Sequence, residues 1–205
     1  MIIERLELLP FGTNCYIVAD ETSKEGMLID PGCDAPAIRQ KIEELGVSIR
    51  LIVLTHGHPD HIGALKEMKD FTGAAVAIHP DDAMYIESRQ RGGFGFPSQE
   101  PVTPDRLLQD GDNVSAGSLS FKVIHTPGHT QGGICLYREG VVFTGDTLFR
   151  YSVGRYDMPG GDGRQELTSI VQKLMVLPDE TIAYPGHGPA TTIGDEKEGN
   201  PFLRQ

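Results

Sequence analysis

The sequence predicts an α+β fold in which two packed sheets carry helices on their outer faces. Three observations support this prediction. Short apolar runs typical of strands recur along the whole chain, amphipathic helical patterns are interspersed among them, and 25 glycines with 14 prolines indicate frequent turns. The sequence contains no linker-like tract or short repeat, so its 205 residues predict a single domain over residues 1–205.

The first half of the chain predicts alternating strands and helices. One helix is expected between Asp34, a typical N-cap residue, and Gly46; a second is expected between Ile62 and Gly73, where apolar residues recur every three positions. The continuous apolar run at 49–54 is typical of a strand buried on both faces. The predicted strands are residues 14–19, 26–30, 49–54 and 74–78, and residues 80–87 are expected to form a brief helix.

The second half begins with a predicted long loop at 91–104, where glycines and prolines are concentrated. The sequence favours equally a plain loop and a flap whose Phe94 or Phe96 covers a substrate. A strongly amphipathic helix is expected from a capping-box-like start at Asp162 to Leu177. The predicted strands are residues 119–124, 133–137, 141–144 and 181–184.

Composition and charge exclude several classes of protein. Eighteen basic residues against 29 acidic residues give a formal net charge of −11, which argues against binding to nucleic acid or to an anionic membrane. Three cysteines without a CxxC pair are expected to be free thiols in a reducing compartment, and the charged N-terminal segment does not suit a signal peptide. We therefore expect a cytoplasmic protein, and the sequence leaves its oligomeric state open.

Histidines are concentrated at the ends of predicted strands. The densest cluster, His56-x-His58-x-Asp60-His61, directly follows the strand at 49–54. Residues 56 and 58 project to the same side of an extended segment, so both can reach one ion. Asp60 and His61 follow a proline turn and can hold a second ion. Imidazole and carboxylate donors without thiolates suit zinc, iron or manganese rather than a structural cysteine-type zinc site.

Three further glycine-containing turns each place one potential ligand at a strand exit, namely His129, Asp146 and His187. With the first cluster they make five imidazoles and two carboxylates, enough for two ions with three protein ligands each and a shared aspartate. Coordination positions left open for water are typical of a catalytic site. His79 and His125 fall outside this set, and we expect them to be structural or supporting residues.

The pattern of these seven residues resembles that of the metallo-β-lactamase superfamily. The segments 126–130, 143–149 and 184–188 are most similar to its glyoxalase II (hydroxyacylglutathione hydrolase) branch. The resemblance covers nearly the whole chain and implies the metallo-β-lactamase fold, a four-layer αββα sandwich with the metals at one edge between the sheets. The ligand sets that it implies are His56, His58 and His129 for one ion, Asp60, His61 and His187 for the other, and Asp146 as the bridge.

Full-length glyoxalase II enzymes carry a C-terminal helical domain that binds glutathione through basic and tyrosine side chains. This chain ends at Gln205, so the resemblance is greater to the short, single-domain bacterial form. Arg155 falls where the family has a basic glutathione contact, whereas Asp157 falls where a tyrosine is expected. Arg155 and Tyr156 are the predicted substrate-binding residues, but the resemblance does not carry glutathione specificity over to this chain.

The resemblance implies a thioester hydrolase with two divalent ions, zinc first and iron or manganese as alternatives. Its expected partner is a small-molecule thioester such as S-lactoylglutathione. Two cations about 3.5–4 Å apart lower the pKa of a bridging water to near 7, and the resulting hydroxide would attack the carbonyl. A thiolate leaves with little help from an acid, whereas an amine must be protonated. Asp60 and His58 are predicted to be catalytic as well as ligands.

Two alternative functions stay open. Persulfide dioxygenases share these motifs but use a single iron held by two histidines and one aspartate, which here would be His56, His129 and Asp146. Another hydrolase of the superfamily, such as a lactonase or a β-lactamase, is the second alternative. The acidic charge disfavours a nuclease, and the open metal positions disfavour a non-catalytic binding module.

Overall fold

The computed structural model describes residues 1–89 and 100–204, which form two six-stranded sheets with helices on their outer faces. This confirms the predicted α+β fold and its αββα layers. The first sheet has the order β1 (Ile2–Leu8), β2 (Thr13–Ala19), β3 (Glu25–Ile29), β4 (Ser48–Val53), β5 (Ala75–Ile78) and β6 (Arg106–Leu107).

The second sheet is formed by the later strands of the chain, and a small hairpin is inserted in the sequence between two of them. The remaining strands are β7 (Asn113–Ala116), β8 (Leu119–His125), β9 (Ile134–Arg138), β10 (Val141–Gly145), the hairpin strands β11 (Leu148–Phe149) and β12 (Ser152–Val153), β13 (Ile182–Pro185) and β14 (Thr191–Thr192). Their order in the sheet is β14-β13-β10-β9-β8-β7. The pair β10 and β13 is parallel, as are the neighbouring strands from β3 to β6.

Three apolar layers hold the sandwich together. Between the sheets lie Val53, Phe121 and Phe143, all fully or almost fully buried. One outer layer packs helices against the first sheet, with Ile38 at its centre; the other packs against the second sheet around Ile170. Each inner strand lies between a helix layer and the facing sheet. Successive residues of a strand face opposite sides, so both sets of side chains are buried, which explains the continuous apolar sequences of these strands.

The helices are shorter than the sequence predicts in two places. The expected helix from Ile62 to Gly73 is two helices, because the backbone N–H of Ala64 donates to the carbonyl of Pro31 and Gly63 lies against the carbonyl of Gly32. The α-helix that was expected to reach Leu177 ends at Ser169 and is followed by a π-helical segment, Ile170–Leu174. The helices are α1 (Ala35–Leu45), α2 (Pro59–Ile62), α3 (Leu65–Thr72), α4 (Ala83–Glu87), α5 (Gly163–Ser169) and α6 (Ile193–Gly199).

Most of the predicted strands are confirmed, several elements were not predicted, and one predicted loop lies largely outside the described residues. The expected strands match β2 to β5, β8 to β10 and β13 within two residues at each end. The elements that were not predicted are β1, β6, β7, β11, β12, β14 and α6. Residues 80–87 form a 3₁₀ turn followed by α4. Most of the predicted loop at 91–104, including the flap candidates Phe94 and Phe96, lies outside the described residues. None of the helices in the described ranges has the length and apolarity needed to cross a bilayer.

The end of α1 gives a clean test of backbone conformation. Gly46 has a φ of 61°, its N–H donates to the carbonyls of Glu43 and Ile42, and an added Cβ would meet no atom within 4 Å. We expect Gly46→Ala to lower the free energy of unfolding by about 1–2 kcal/mol, because only left-handed backbone strain is added. Gly46→Asn should cost less, since asparagine tolerates this conformation. Urea unfolding of both variants checks this, and an alanine variant as stable as the wild type would contradict it.

Candidate metal centre

The ends of the parallel strands place the predicted ligands at one edge of the sandwich. The segment that carries His56 leaves β4, and Asp146 and His187 follow β10 and β13. The two sheets meet at this edge, where Thr13 of β2 bridges to His187 and the N–H of Asn14 donates to the carbonyl of Gly186 at 2.7 Å. The topology therefore collects side chains that are up to 131 positions apart in sequence, from residue 56 to residue 187.

One group of potential ligands consists of three buried imidazoles. The ligand atoms of His56, His58 and His129 all lie within 4.8 Å of one another, and His58 Nδ1 is 2.8 Å from His129 Nε2. The three rings meet edge to face, with centroids 4.6–4.9 Å apart. Their ring nitrogens thus converge on one point, as three ligands of a single ion must.

The second group contains one carboxylate and two imidazoles. Its members Asp60, His61 and His187 also have ligand atoms within 4.8 Å of one another. His187 Nε2 lies 3.1 Å from Asp60 Oδ2 and 3.3 Å from His61 Nε2. The hydroxyl of Thr13 donates to Asp60 Oδ2 at 3.2 Å and so fixes this carboxylate from the first sheet.

Asp146 lies between the two groups. Its Oδ1 is 3.3 Å from His61 Nε2, and its Oδ2 is 3.6 Å from both His129 Nε2 and His187 Nε2. One carboxylate therefore faces both groups at once. All seven residues that the sequence singles out come together, and these clusters fit a dinuclear metal site.

Hydrogen bonds on the outer side of the rings leave lone pairs on the inner side. Asp30 Oδ2 accepts from the Thr55 hydroxyl at 2.6 Å and from His61 Nδ1 at 3.0 Å. Because the Thr55 proton is used on Asp30, His56 Nδ1 donates to Thr55 Oγ1 at 3.1 Å. His129 Nδ1 donates to a backbone carbonyl at 2.6 Å. In all three rings Nδ1 is thus the donor on the outer side and Nε2 faces the centre, the orientation that metal ligation through Nε2 needs.

Two buried atoms of the centre lack a hydrogen-bond partner, His56 Nε2 and Asp146 Oδ1. Since a buried polar atom without a partner costs free energy, their position indicates a ligand that is not protein. The centre is also tightly enclosed, because a Cβ on Gly186 would overlap Asp146 Oδ1. The residues present therefore fit a pair of cations.

Electrostatics differ between the two groups. Burial, and then the neighbouring histidines, lowers the pKa of His56 and lowers the pKa of His58 to about 4, so both rings are neutral near pH 7 and able to bind a metal. Burial acts to lower the pKa of His61, but Asp146 and Asp30 outweigh it and raise that pKa. The carboxylates of Asp146 and Asp30 thus favour positive charge at the second group.

Three buried acids that support the centre were not predicted. Asp30 follows β3 as Asp146 follows β10, a signal that was available in the sequence. Asp82 accepts from the N–H of Gly57, between two predicted ligands, and from the Thr130 hydroxyl. Glu166 accepts from the N–H of His129 at 2.7 Å, and burial raises the pKa of this acid to about 8. Nothing in the sequence pattern links the last two acids to the site.

A cleft of about 560 Å³ opens over the candidate ligands. Its apolar wall consists of Pro59, Phe149, Val153 and Met158, and Arg155 lies at its edge. Tyr156 does not line the cleft; its ring lies against Gly163 at the start of α5. The predicted substrate contact through Arg155 and Tyr156 stays a prediction, and the structure brings only the arginine to the cleft.

A separate set of potential ligands comprises His79, Asp81 and His125. The two imidazoles stack almost parallel, with centroids 4.0 Å apart and an interplanar angle of 13°. Nitrogens of stacked rings lie side by side, so their lone pairs do not converge as those of the main centre do. His125 Nε2 donates to the carbonyl of Gln131 at 2.8 Å, which agrees with a structural role.

Comparisons with known proteins agree with this geometry. The Haemophilus influenzae protein named hydroxyacylglutathione hydrolase GloC is 39% identical over 209 residues, which cover 99% of this chain and 98% of that protein. The crystal structure of BLEG-1 B3 metallo-beta-lactamase superposes with a TM-score of 0.91 at 36% identity over the full length of both chains.

Two further solved structures are similar. TTHA1623, solved in a di-iron-bound form, has a TM-score of 0.86 at 36% identity. The superposition covers 98% of this chain and all of that one. ETHE1 from Myxococcus xanthus has a TM-score of 0.83 at 32% identity, over 98% of this chain and 84% of that one. The family model described as the metallo-beta-lactamase superfamily matches residues 8–187, most of the chain. By sequence and by structure, the chain belongs to the metallo-beta-lactamase superfamily.

Proposed function

We propose that the protein is a metal-dependent hydrolase that cleaves a thioester, such as S-lactoylglutathione or another hydroxyacyl thioester. In this reaction water adds to the acyl carbon, the carbon–sulfur bond breaks, and the products are a carboxylic acid and a thiol. Similarity to the protein named hydroxyacylglutathione hydrolase GloC supports the glyoxalase II-like assignment.

The observation that carries the proposal is the position of Asp146 between two complete groups of ligands. A carboxylate with one oxygen 3.3 Å from His61 Nε2 and the other 3.6 Å from His129 Nε2 suits two ions rather than one. When bound, two divalent cations would polarise a carbonyl and supply an activated water at neutral pH. The di-iron form of TTHA1623 supports iron beside zinc as the metal.

The residues of the cleft favour a thioester over an amide. Outside the seven predicted ligands, the described residues that line the cleft offer no proton donor that titrates near neutral pH, since Arg155 and Ser152 both keep their protons. An amine leaving group would need such a donor, whereas a thiolate does not. Phe149, Val153 and Met158 give the cleft an apolar wall that can shield an acyl group from water.

Metal removal gives the first test. Treatment with a chelator such as EDTA should reduce hydrolysis of S-lactoylglutathione by at least about 100-fold, because the ions supply both the polarisation and the activated water. Addition of Zn²⁺, Fe²⁺ or Mn²⁺ should restore it. The assay follows thiol release, and unfolding measurements confirm that the metal-free chain stays folded. Full turnover by the metal-free protein would refute the proposal.

Similarity to BLEG-1, which is named a B3 metallo-beta-lactamase, favours β-lactam hydrolysis as a second candidate. The persulfide dioxygenase alternative predicts one iron per chain and oxygen uptake with glutathione persulfide. A panel that contains a thioester, a lactone, a β-lactam and the persulfide, run on protein of known metal content, separates the candidates. Two ions per chain with thioester cleavage as the fastest reaction support our proposal.

A further inference from the structure

Arg155 brings a cationic side chain to the cleft over the candidate ligands. It lines the cleft together with the candidate ligands, and its backbone carbonyl accepts from His129 Nδ1 at 2.6 Å. It is the one lysine or arginine among the described residues that form the cleft. Apart from the metal centre itself, a carboxylate on a bound thiol would therefore find its cationic partner in this guanidinium.

The guanidinium already has a carboxylate partner. Arg155 Nε donates to Asp157 Oδ1 at 2.8 Å, and its Nη2 donates to Oδ2 at 3.0 Å, which is a two-pronged ion pair. The contact raises the pKa of Arg155 and lowers the pKa of Asp157, so both groups stay charged. Only one residue separates the partners, so the pair forms with little loss of chain entropy.

The rest of the cleft wall offers no second cationic side chain among the described residues. It consists of Pro59, Phe149, Val153 and Met158 with the hydroxyl of Ser152. A carboxylate that enters the cleft meets a guanidinium already engaged at Nε and Nη2 and lies close to the negative charge of Asp157. An uncharged thiol meets neither obstacle.

We infer that Asp157 is a specificity-determining residue. Because it holds the guanidinium of Arg155, the cleft prefers thioesters whose thiol portion lacks a carboxylate. This inference rests on the proposed thioester hydrolysis and names its substrate class. The pair is exposed, with 63% and 67% of the two side chains accessible, so solvent screens it and its effect on selectivity is about fivefold.

The test compares two lactoyl thioesters, one of glutathione, which carries two carboxylates, and one of uncharged N-acetylcysteamine. In zinc-loaded Asp157→Asn, the ratio of kcat/KM for the glutathione thioester to kcat/KM for the N-acetylcysteamine thioester should rise about fivefold over the wild-type ratio. The double variant Arg155→Gln/Asp157→Asn should lose this gain, because the freed guanidinium is its cause.

The matched control is Glu139→Gln, which removes one negative charge from the turn between β9 and β10, at the opposite end of β10 from Asp146. Its ratio should stay within about twofold of the wild type. Equal shifts in the Glu139 and Asp157 variants, or no shift in either, would overturn the inference. A gain that survives in the double variant would overturn it as well.

A binding measurement separates this inference from the proposed function. Calorimetric titration with S-methylglutathione, which has the same carboxylates but no thioester, should give a Kd about fivefold lower for Asp157→Asn than for the wild type. If the zinc-loaded wild type hydrolyses neither thioester, the proposed function fails, and this titration still decides whether Asp157 blocks a carboxylate. An unchanged Kd contradicts the inference.

Discussion

Replacing Asp146 by alanine is expected to abolish thioester hydrolysis and to lower the zinc content to one ion per chain or fewer. The two carboxylate oxygens lie 3.3–3.6 Å from Nε2 atoms of both groups of histidines, so the substitution removes a ligand from each group at once. Loss of a partner outside the ligand shell typically reduces metal affinity or activity 10- to 100-fold. Loss of a shared ligand should exceed this, with kcat/KM falling by more than about 100-fold.

Metal content and unfolding are measured on the same sample, because an unfolded variant would also lack activity. Asp146→Asn keeps the shape and one oxygen acceptor, and it should retain more metal than the alanine variant while remaining impaired. A folded Asp146→Ala protein with two zinc ions and wild-type turnover would show that this carboxylate does not join the two groups.

Asp30→Asn is expected to give the second-largest effect, although Asp30 belongs to neither group of predicted ligands that face the cleft. Its carboxylate accepts three hydrogen bonds, from Thr55 N at 2.7 Å, Thr55 Oγ1 at 2.6 Å and His61 Nδ1 at 3.0 Å. An amide has only one acceptor oxygen, so its NH₂ group must face one of these donors. In one orientation the NH₂ group opposes the N–H of Thr55, and in the other it opposes the Thr55 hydroxyl and His61 Nδ1, so the cluster that orients His61 loses hydrogen bonds either way.

We expect Asp30→Asn to weaken zinc binding and to lower kcat/KM by about 10- to 100-fold. Zinc affinity is measured by competition with a chromophoric chelator. The control is Asp179→Asn, which removes an exposed carboxylate that pairs with Lys197, and both quantities should stay within about twofold of the wild type. Unchanged zinc affinity in Asp30→Asn would mean that the ring of His61 is oriented by packing alone.

The sequence predicts the ligand-bearing edge of this protein better than its supporting parts. His56, His129, Asp146 and His187 could be located because each follows an apolar strand, and strand ends are recognisable from local pattern. Their convergence depends on sheet topology, which the resemblance to the superfamily implied. The fold and the grouping of these side chains agree with that expectation.

Contacts between distant elements explain what the sequence did not predict. The break before α3 depends on the carbonyl of Pro31, and the role of Glu166 depends on α5 packing under the loop of His129. Strand β1 was not predicted because Glu4, Arg5 and Glu7 interrupt its apolar pattern at the edge of a sheet. Such features require the three-dimensional neighbours of a residue, which a local pattern does not contain.

The most direct test of the central claim is an anomalous difference map from a crystal of the zinc-loaded protein, recorded above the zinc absorption edge. Our account predicts two peaks at the cleft edge of the sandwich, one surrounded by His56, His58 and His129 and the other by Asp60, His61 and His187, with Asp146 between them. A single peak at saturating zinc, or peaks away from these side chains, would contradict it.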